Sequence, residues 1–188
     1  MNKKRIGLAL CGSYCTYEKL FGVLGTLCER YDIVPIMSET AASTDSRFGT
    51  AASFKKRLFD LTGRAPVCTD AEPLGPSTPM DALVIAPCTG NTMAKLTHGV
   101  TDTAVTMAAK AHLRNGKPLV IAFSTNDGLT GSAPNIAALF NRKNVYLVPY
   151  KQDDFTKKPY SLASDFTLLP DAIEAALEGR QLQPVLAQ

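Results

Sequence analysis

The strongest constraint on this chain comes from apolar runs that are too short to cross a membrane and too continuous to be half-exposed strands. Arg5 to Cys11, Ala82 to Ala86 and Leu119 to Phe123 are nearly unbroken in apolar character, and each ends in a Gly, Pro or Ser turn. A strand that is apolar at both alternating positions must be covered on both faces, as the central strands of a parallel sheet are. Between these runs the apolar residues recur at three- and four-residue intervals. In Tyr17 to Arg30 they are Leu20, Phe21, Leu24, Leu27 and Cys28, which form one face of a helix with Thr16 as a plausible N-cap. Ser53 to Leu61, Pro134 to Phe140 and Asp171 to Leu177 read as helices in the same way. Thr92 to Leu96 starts another, Gly99 interrupts it, and Thr103 to Arg114 continues it. With further strands at Asp32 to Met37 and Val145 to Val148, the alternation implies a three-layer α/β/α, Rossmann-like fold built on a parallel sheet. Thr40 to Gly49 and Glu72 to Pro79 lack a period and read as surface loops. The residues after Gly179 are open between an ordered arm and a loose tail.

A chain of 188 residues, 45% of them hydrophobic, can bury one substantial core, so residues 1–188 are expected to form one domain. Twenty basic residues against 17 acidic ones leave a net charge of +3, scattered too evenly to imply a nucleic-acid or anionic-membrane surface. Cys11, Cys15, Cys28, Cys68 and Cys88 show no CxxC spacing and no neighbouring histidines, which excludes an obvious zinc site and fits reduced thiols in the cytoplasm. Lys3, Lys4 and Arg5 before an apolar run imitate a signal peptide, but the run leads directly into Gly12-Ser13-Tyr14 without a small-residue cleavage site. No stretch approaches the roughly eighteen apolar residues of a membrane span.

In an open parallel sheet, ligands bind beyond the carboxyl ends of the strands. Four loops are therefore the candidate site: Gly12 to Thr16, Ser38 to Thr40, Pro87 to Asn91, and Ser124 to Gly128. The first offers Gly12 for close backbone approach, the hydroxyls of Ser13 and Thr16, and the amides of a helix start, which suit a phosphate. The same hydroxyls could instead cap the helix, as could Ser38 and Thr40 after the second strand. In the third loop, Pro87, Cys88, Thr89 and Gly90 are small enough to admit a flat ligand. Asn91 supplies both donors and an acceptor, and Thr92 can cap the next helix. Ser124 and Asn126 complete the set. Glu39, Asp102 and Asp127 lie near these loops, but no spacing singles one out as a general base. His98 and His112 each fall inside a helical stretch.

The segment Asp81-Ala82-Leu83-Val84-Ile85-Ala86-Pro87-Cys88-Thr89-Gly90-Asn91-Thr92-Met93-Ala94-Lys95, with Gly99 and Asp102 downstream, resembles the signature of the flavoprotein family that includes phosphopantothenoylcysteine decarboxylases and flavin prenyltransferases. The resemblance covers roughly residues 5 to 150. It implies a flavoprotein-type fold with bound FMN, held by the positions here occupied by Gly12, Ser13, Ser38, Pro87, Thr89, Asn91 and Thr92. It also implies self-association into a homo-oligomer, because flavin sites in that family commonly lie where protomers meet. The decarboxylase branch carries a Pro-x-Met-Asn-x-x-Met-Trp segment and a catalytic histidine. Here the corresponding strand ends Ala122-Phe123-Ser124-Thr125-Asn126-Asp127-Gly128, and the chain has no tryptophan.

A narrower similarity, to the B-subunit family of bacterial dipicolinate synthases, rests on several further segments. They are Gly12-Ser13-Tyr14-Cys15-Thr16-Tyr17, Thr44-Asp45-Ser46-Arg47-Phe48-Gly49, Ala71-Glu72-Pro73-Leu74-Gly75-Pro76, Met107 to Ala111, Leu113 to Gly116, Ser124-Thr125-Asn126-Asp127 and Gly179 to Pro184. That resemblance implies one component of an oxidoreductase, working with the nicotinamide-binding A-subunit of dipicolinate synthase, which would use NAD or NADP. Together they would oxidise dihydrodipicolinate to dipicolinate during spore formation. Arg47, Lys55, Lys56 and Lys95 are then candidates for recognising the dicarboxylate. The alternatives are an FMN-dependent decarboxylase, a flavin prenyltransferase, and a non-catalytic scaffold.

Overall fold

The computed structural model describes residues 3–69 and 79–187. The expected loop at Glu72 to Pro79 and the Ala71-to-Pro76 segment thus lie almost wholly outside the described residues. Strands β1 (Arg5–Leu10), β2 (Asp32–Met37), β3 (Ala82–Cys88), β4 (Leu119–Thr125) and β5 (Val145–Leu147) pair in parallel in the order β2-β1-β3-β4-β5. Their helices are α1 (Tyr17–Arg30), α2 (Glu39–Ser43), α3 (Ala51–Thr62), α4 (Gly90–His98), α5 (Ala104–Arg114), α6 (Ala133–Phe140) and α7 (Leu169–Leu177). No helix among the described residues is long and apolar enough to cross a membrane.

Side-chain alternation along the strands divides the core between the two faces of the sheet. Ile6, Leu8 and Leu10 of β1 join Ala82, Val84 and Ala86 of β3 against α1, α3 and α7. Ala9 and Cys11, with Leu83, Ile85 and Cys88, face Met93, Leu96, Val105 and Ala109 of α4 and α5. Both faces are sealed, which is why these strands are apolar throughout.

The helix starts differ from the sequence expectation in three places. Thr16 does not cap α1, because a 3-10 turn over Tyr14–Thr16 precedes the helix and the Thr16 hydroxyl donates back to the Ser13 carbonyl at 2.8 Å. Thr92 does not cap α4 either. The helix begins two residues earlier, with Thr89 as its N-cap accepting from the Thr92 amide at 3.2 Å. Part of the supposed Thr40-to-Gly49 loop is the short helix α2, capped by Ser38, whose hydroxyl accepts from the Ala41 amide at 3.3 Å. The expected break at Gly99 is present: it closes α4 in the left-handed region at φ 73°, where a residue without Cβ is unstrained.

The larger addition is an antiparallel hairpin, β6 (Tyr150–Asp154) and β7 (Lys158–Ser164), so the sheet is mostly rather than wholly parallel. β5 occupies the first half of the free edge of β4. β7 takes its last two residues, pairing Ser124 with Ala163 and Thr125 with Leu162. The segment after Gly179 is an ordered arm. Gln181 brackets Leu147 with two hydrogen bonds of 2.9 and 2.7 Å, and Val185 and Ala187 pair with the backbone of Tyr150.

Candidate functional site

The first three carboxyl-edge loops are tied to one another by bonds that cross between them, and the fourth packs against the third. The Cys11 amide donates to the Pro87 carbonyl at 3.1 Å, and the Ser38 amide to the Leu10 carbonyl at 2.9 Å. A side-chain relay joins the first and third loops: Thr89 donates to Thr92 at 3.0 Å, and Thr92 donates to the Cys11 sulfur at 3.3 Å. The first and second loops meet where the Tyr14 hydroxyl donates to the Thr40 carbonyl at 2.9 Å. A Cβ placed on Gly12 would lie 3.6 Å from the Thr40 methyl group.

The junction between the third and fourth loops is tighter. A Cβ on Gly90 would come within 2.7 Å of the Ser132 hydroxyl and 2.9 Å of the Thr125 hydroxyl, so only glycine fits as α4 starts beneath the fourth loop. Asp127 organises this junction by accepting from the hydroxyls of both Thr125 and Ser132. Those donors, Thr125 first, hold its carboxyl below the usual carboxylate range, so it is an anion here. Ser124 to Ser132 reads as one loop in the sequence, but its spacing does not show that Asp127 gathers the Thr125 and Ser132 hydroxyls.

The expected site residues fall into two groups. Thr16, Ser38, Pro87, Cys88 and Thr92 are buried beneath the rim, where they shape it rather than line it. Gly12, Ser13, Thr89 and Ser124 are half-buried, and Thr40, Asn91 and Asn126 are exposed. Asn91 sits in the first turn of α4, and its side-chain amide has no hydrogen-bond partner among the described residues. No side chain caps the Tyr14 turn or α1, which leaves the amides at that helix start unclaimed by a side chain. An anionic group is favoured there by the amides and the helix dipole.

Proton-transfer chemistry is poorly served at this rim. Burial pushes the Cys11 thiol up to about 11 despite the Thr92 hydrogen bond, and raises Cys88 well above its ordinary value, so both stay neutral. Burial lowers His112, whose Nε2 lies 2.9 Å from the Pro118 carbonyl, at the amino end of β4 and away from the loops. His98 ends α4. Asp102 is held low by its hydrogen bond to Lys95, at 2.8 Å.

The flavoprotein family model matches residues 1–143. The dipicolinate synthase B-subunit of Bacillus subtilis (strain 168) is 45% identical over 98% of this chain and 94% of its own length, so the two are homologous nearly end to end. The crystal structure of the dipicolinate synthase B-subunit from Bacillus halodurans C superposes with a TM-score of 0.89 at 42% identity, covering 100% of this chain and 99% of that one. Burkholderia xenovorans DmrB, solved in complex with FMN and described as a cubic protein cage for redox transfer, shares the fold. Its TM-score is 0.63 at 19% identity, over 82% of this chain and 92% of that one.

Proposed function

This chain belongs to the flavoprotein family, and from that premise we propose that its carboxyl-edge loops hold FMN in the B-subunit of a dipicolinate synthase. The observation that carries the reading is the cross-bonding of the first three loops, with the fourth packed against Gly90 of the third, Asn91 unpartnered among the described residues and the α1 start uncapped. Those features fit an aromatic, phosphorylated group. The uncapped turn and the Ser13 hydroxyl receive the phosphate, while Thr40, Thr89, Asn91, Ser124 and Asn126 contact the flat ring system and its polar edges.

When bound, FMN supplies two-electron acceptance, and the substrate's aromatisation favours the transfer. The side chains bind and orient. The neutral thiols and the absence of histidine from the loops leave proton removal to the substrate's own acidity, to water, or to a partner. In this reading a separate nicotinamide-binding A-subunit reoxidises the system with NAD or NADP. The substrate is a dihydrodipicolinate-type dicarboxylate in the cytoplasm of a sporulating cell, and copies of this chain associate so that each open rim is covered.

The purified chain should bind added FMN with an affinity on the order of micromolar or tighter, seen as quenching of flavin fluorescence. Asn91→Ala should weaken that binding about tenfold, the scale of a lost hydrogen-bonding group at a buried ligand. An unchanged flavin spectrum at saturating protein would remove the flavin reading. The thiol and histidine placements favour one second reading, a scaffold that stabilises the nicotinamide-binding partner. Dipicolinate formation by that partner, equally fast with FMN-free protein, would establish it.

A further inference from the structure

Of the four cations that could meet a carboxylate, two are already occupied. Lys56 pairs with Asp60 at 2.6 Å and Lys95 with Asp102 at 2.8 Å. Arg57, on the same helix as Lys56, binds Glu18 at 2.5 Å and lies over the Phe21 ring. Arg47 differs from all of these. Its guanidinium lies 4.8 Å from the centre of the Phe48 ring, and no carboxylate among the described residues pairs with it.

The turn that presents Arg47 is well tied down. Ser46 and Gly49 exchange both backbone hydrogen bonds, at 3.0 and 3.1 Å, and the Ser46 hydroxyl accepts from the Phe48 amide at 3.2 Å. Asp45, the nearest acid in sequence, accepts from the Ala51 amide at 2.9 Å. Gly49 adopts φ 148°, and a Cβ there would meet the Phe54 ring at 2.8 Å, so this position is closed to other residues. Phe54 in turn stacks with Tyr14 at 6.1 Å and meets Tyr17 edge-on at 4.6 Å. Tyr14 is the residue that bonds Thr40 and lies beside Gly12. One layer of aromatic rings therefore separates the Arg47 turn from the first loop of the rim.

A stacked guanidinium keeps its in-plane N–H donors free, stays charged at any working pH, and matches a carboxylate with two parallel hydrogen bonds. Phe48, 47% exposed, adds an apolar face beside it. We propose that the Arg47–Phe48 pair is the anchor for one carboxylate of a planar dicarboxylate substrate, with Arg47 setting the preference for a diacid over a monoacid. The proposal deepens the flavin-site reading and rests on it for the substrate class.

Its test is calorimetric titration of the full-length chain with pyridine-2,6-dicarboxylate and with pyridine-2-carboxylate, with and without FMN, alongside a separate FMN titration. Arg47→Ala should weaken the diacid by about tenfold or more, the scale of a lost charge-assisted contact, and erase the preference over the monoacid. Its FMN affinity should stay within about twofold of wild type. Arg47→Lys keeps the charge but not the planar fork and should fall between the two. Diacid binding unchanged in Arg47→Ala, no diacid binding by wild type, or parallel loss of FMN and diacid in Arg47→Ala would each overturn the anchor. If no protein bound FMN but diacid binding still depended on Arg47, the flavin reading would fall and the anchor would stand.

Discussion

The parallel half of the sheet and the hairpin at its edge are built on opposite principles. In the parallel half, β1 and β3 bury every apolar side chain against helices on both faces, and the turns that leave these strands are cross-bonded into the candidate site. In the hairpin, β6 reads Tyr-Lys-Gln-Asp-Asp with mostly exposed side chains, and Phe155 at its turn is 73% exposed. With α6 and the C-terminal arm the hairpin forms an open groove of about 770 Å³, lined by Leu129, Ile136, Phe140, Leu162 and Leu186. Most of the candidate rim thus belongs to the part with two covered faces. The hairpin extends the sheet and borders the rim at one place only, where β7 pairs with Ser124 and Thr125 and Leu162 packs against Gly128.

Truncation should separate the two regions most clearly. Leu8→Ala, at a fully buried position of β1, should cost about 2–5 kcal/mol in denaturant unfolding, because a cavity opens between two layers that cannot collapse. A smaller loss there would mean that the layers of the parallel half yield to fill the gap.

An intermediate effect tests the amino end of the same half. Asp32 accepts from Arg5 at 2.8 Å and from Arg64 at 2.8 Å, and these guanidinium contacts, Arg5 first, hold its carboxyl below the usual range. A carboxyl depressed in the folded state stabilises above its unfolded value of about 4, and that stability disappears as pH falls through the lower folded value. Asp32→Asn should therefore be less stable than wild type at neutral pH by at most about 1 kcal/mol, the ceiling for a partly exposed pair. The gap should begin to narrow as pH falls below about 4 and go on shrinking at lower pH, and a gap independent of pH would refute the ion-pair account.

The smallest effect belongs to the hairpin. Phe155→Ala should change stability by less than about 0.5 kcal/mol and leave FMN titration unchanged. A large loss of either would show that the exposed tip of the hairpin supports the core or the rim, and would narrow the contrast between the two regions.

The strands and helices of the parallel half were legible because burial on both faces leaves a local mark. Ile6 to Cys11 and Leu83 to Ala86 can only be apolar throughout if both faces are covered, and Leu20, Leu24 and Leu27 can only share one helix face. The loops at the carboxyl edge followed from the same reasoning. The hairpin left no such mark, since Lys151 to Asp154 face solvent and their β-conformation comes from pairing with β7.

Sequence alone thus determined the alternation of strand and helix, the two-sided core, and the four loops at the carboxyl edge of the sheet, since each follows from spacing along the chain. Tertiary structure decided which hydroxyls cap and which remain free, leaving α1 without a side-chain cap, moving the α4 cap from Thr92 to Thr89 and assigning Ser38 to α2. It also brought Asp127 to Ser132 beneath Gly90, and left Arg47 beside an aromatic ring with no acid among the described residues to pair with it. Partnership between side chains depends on distances across the fold, and no periodicity in the chain encodes those.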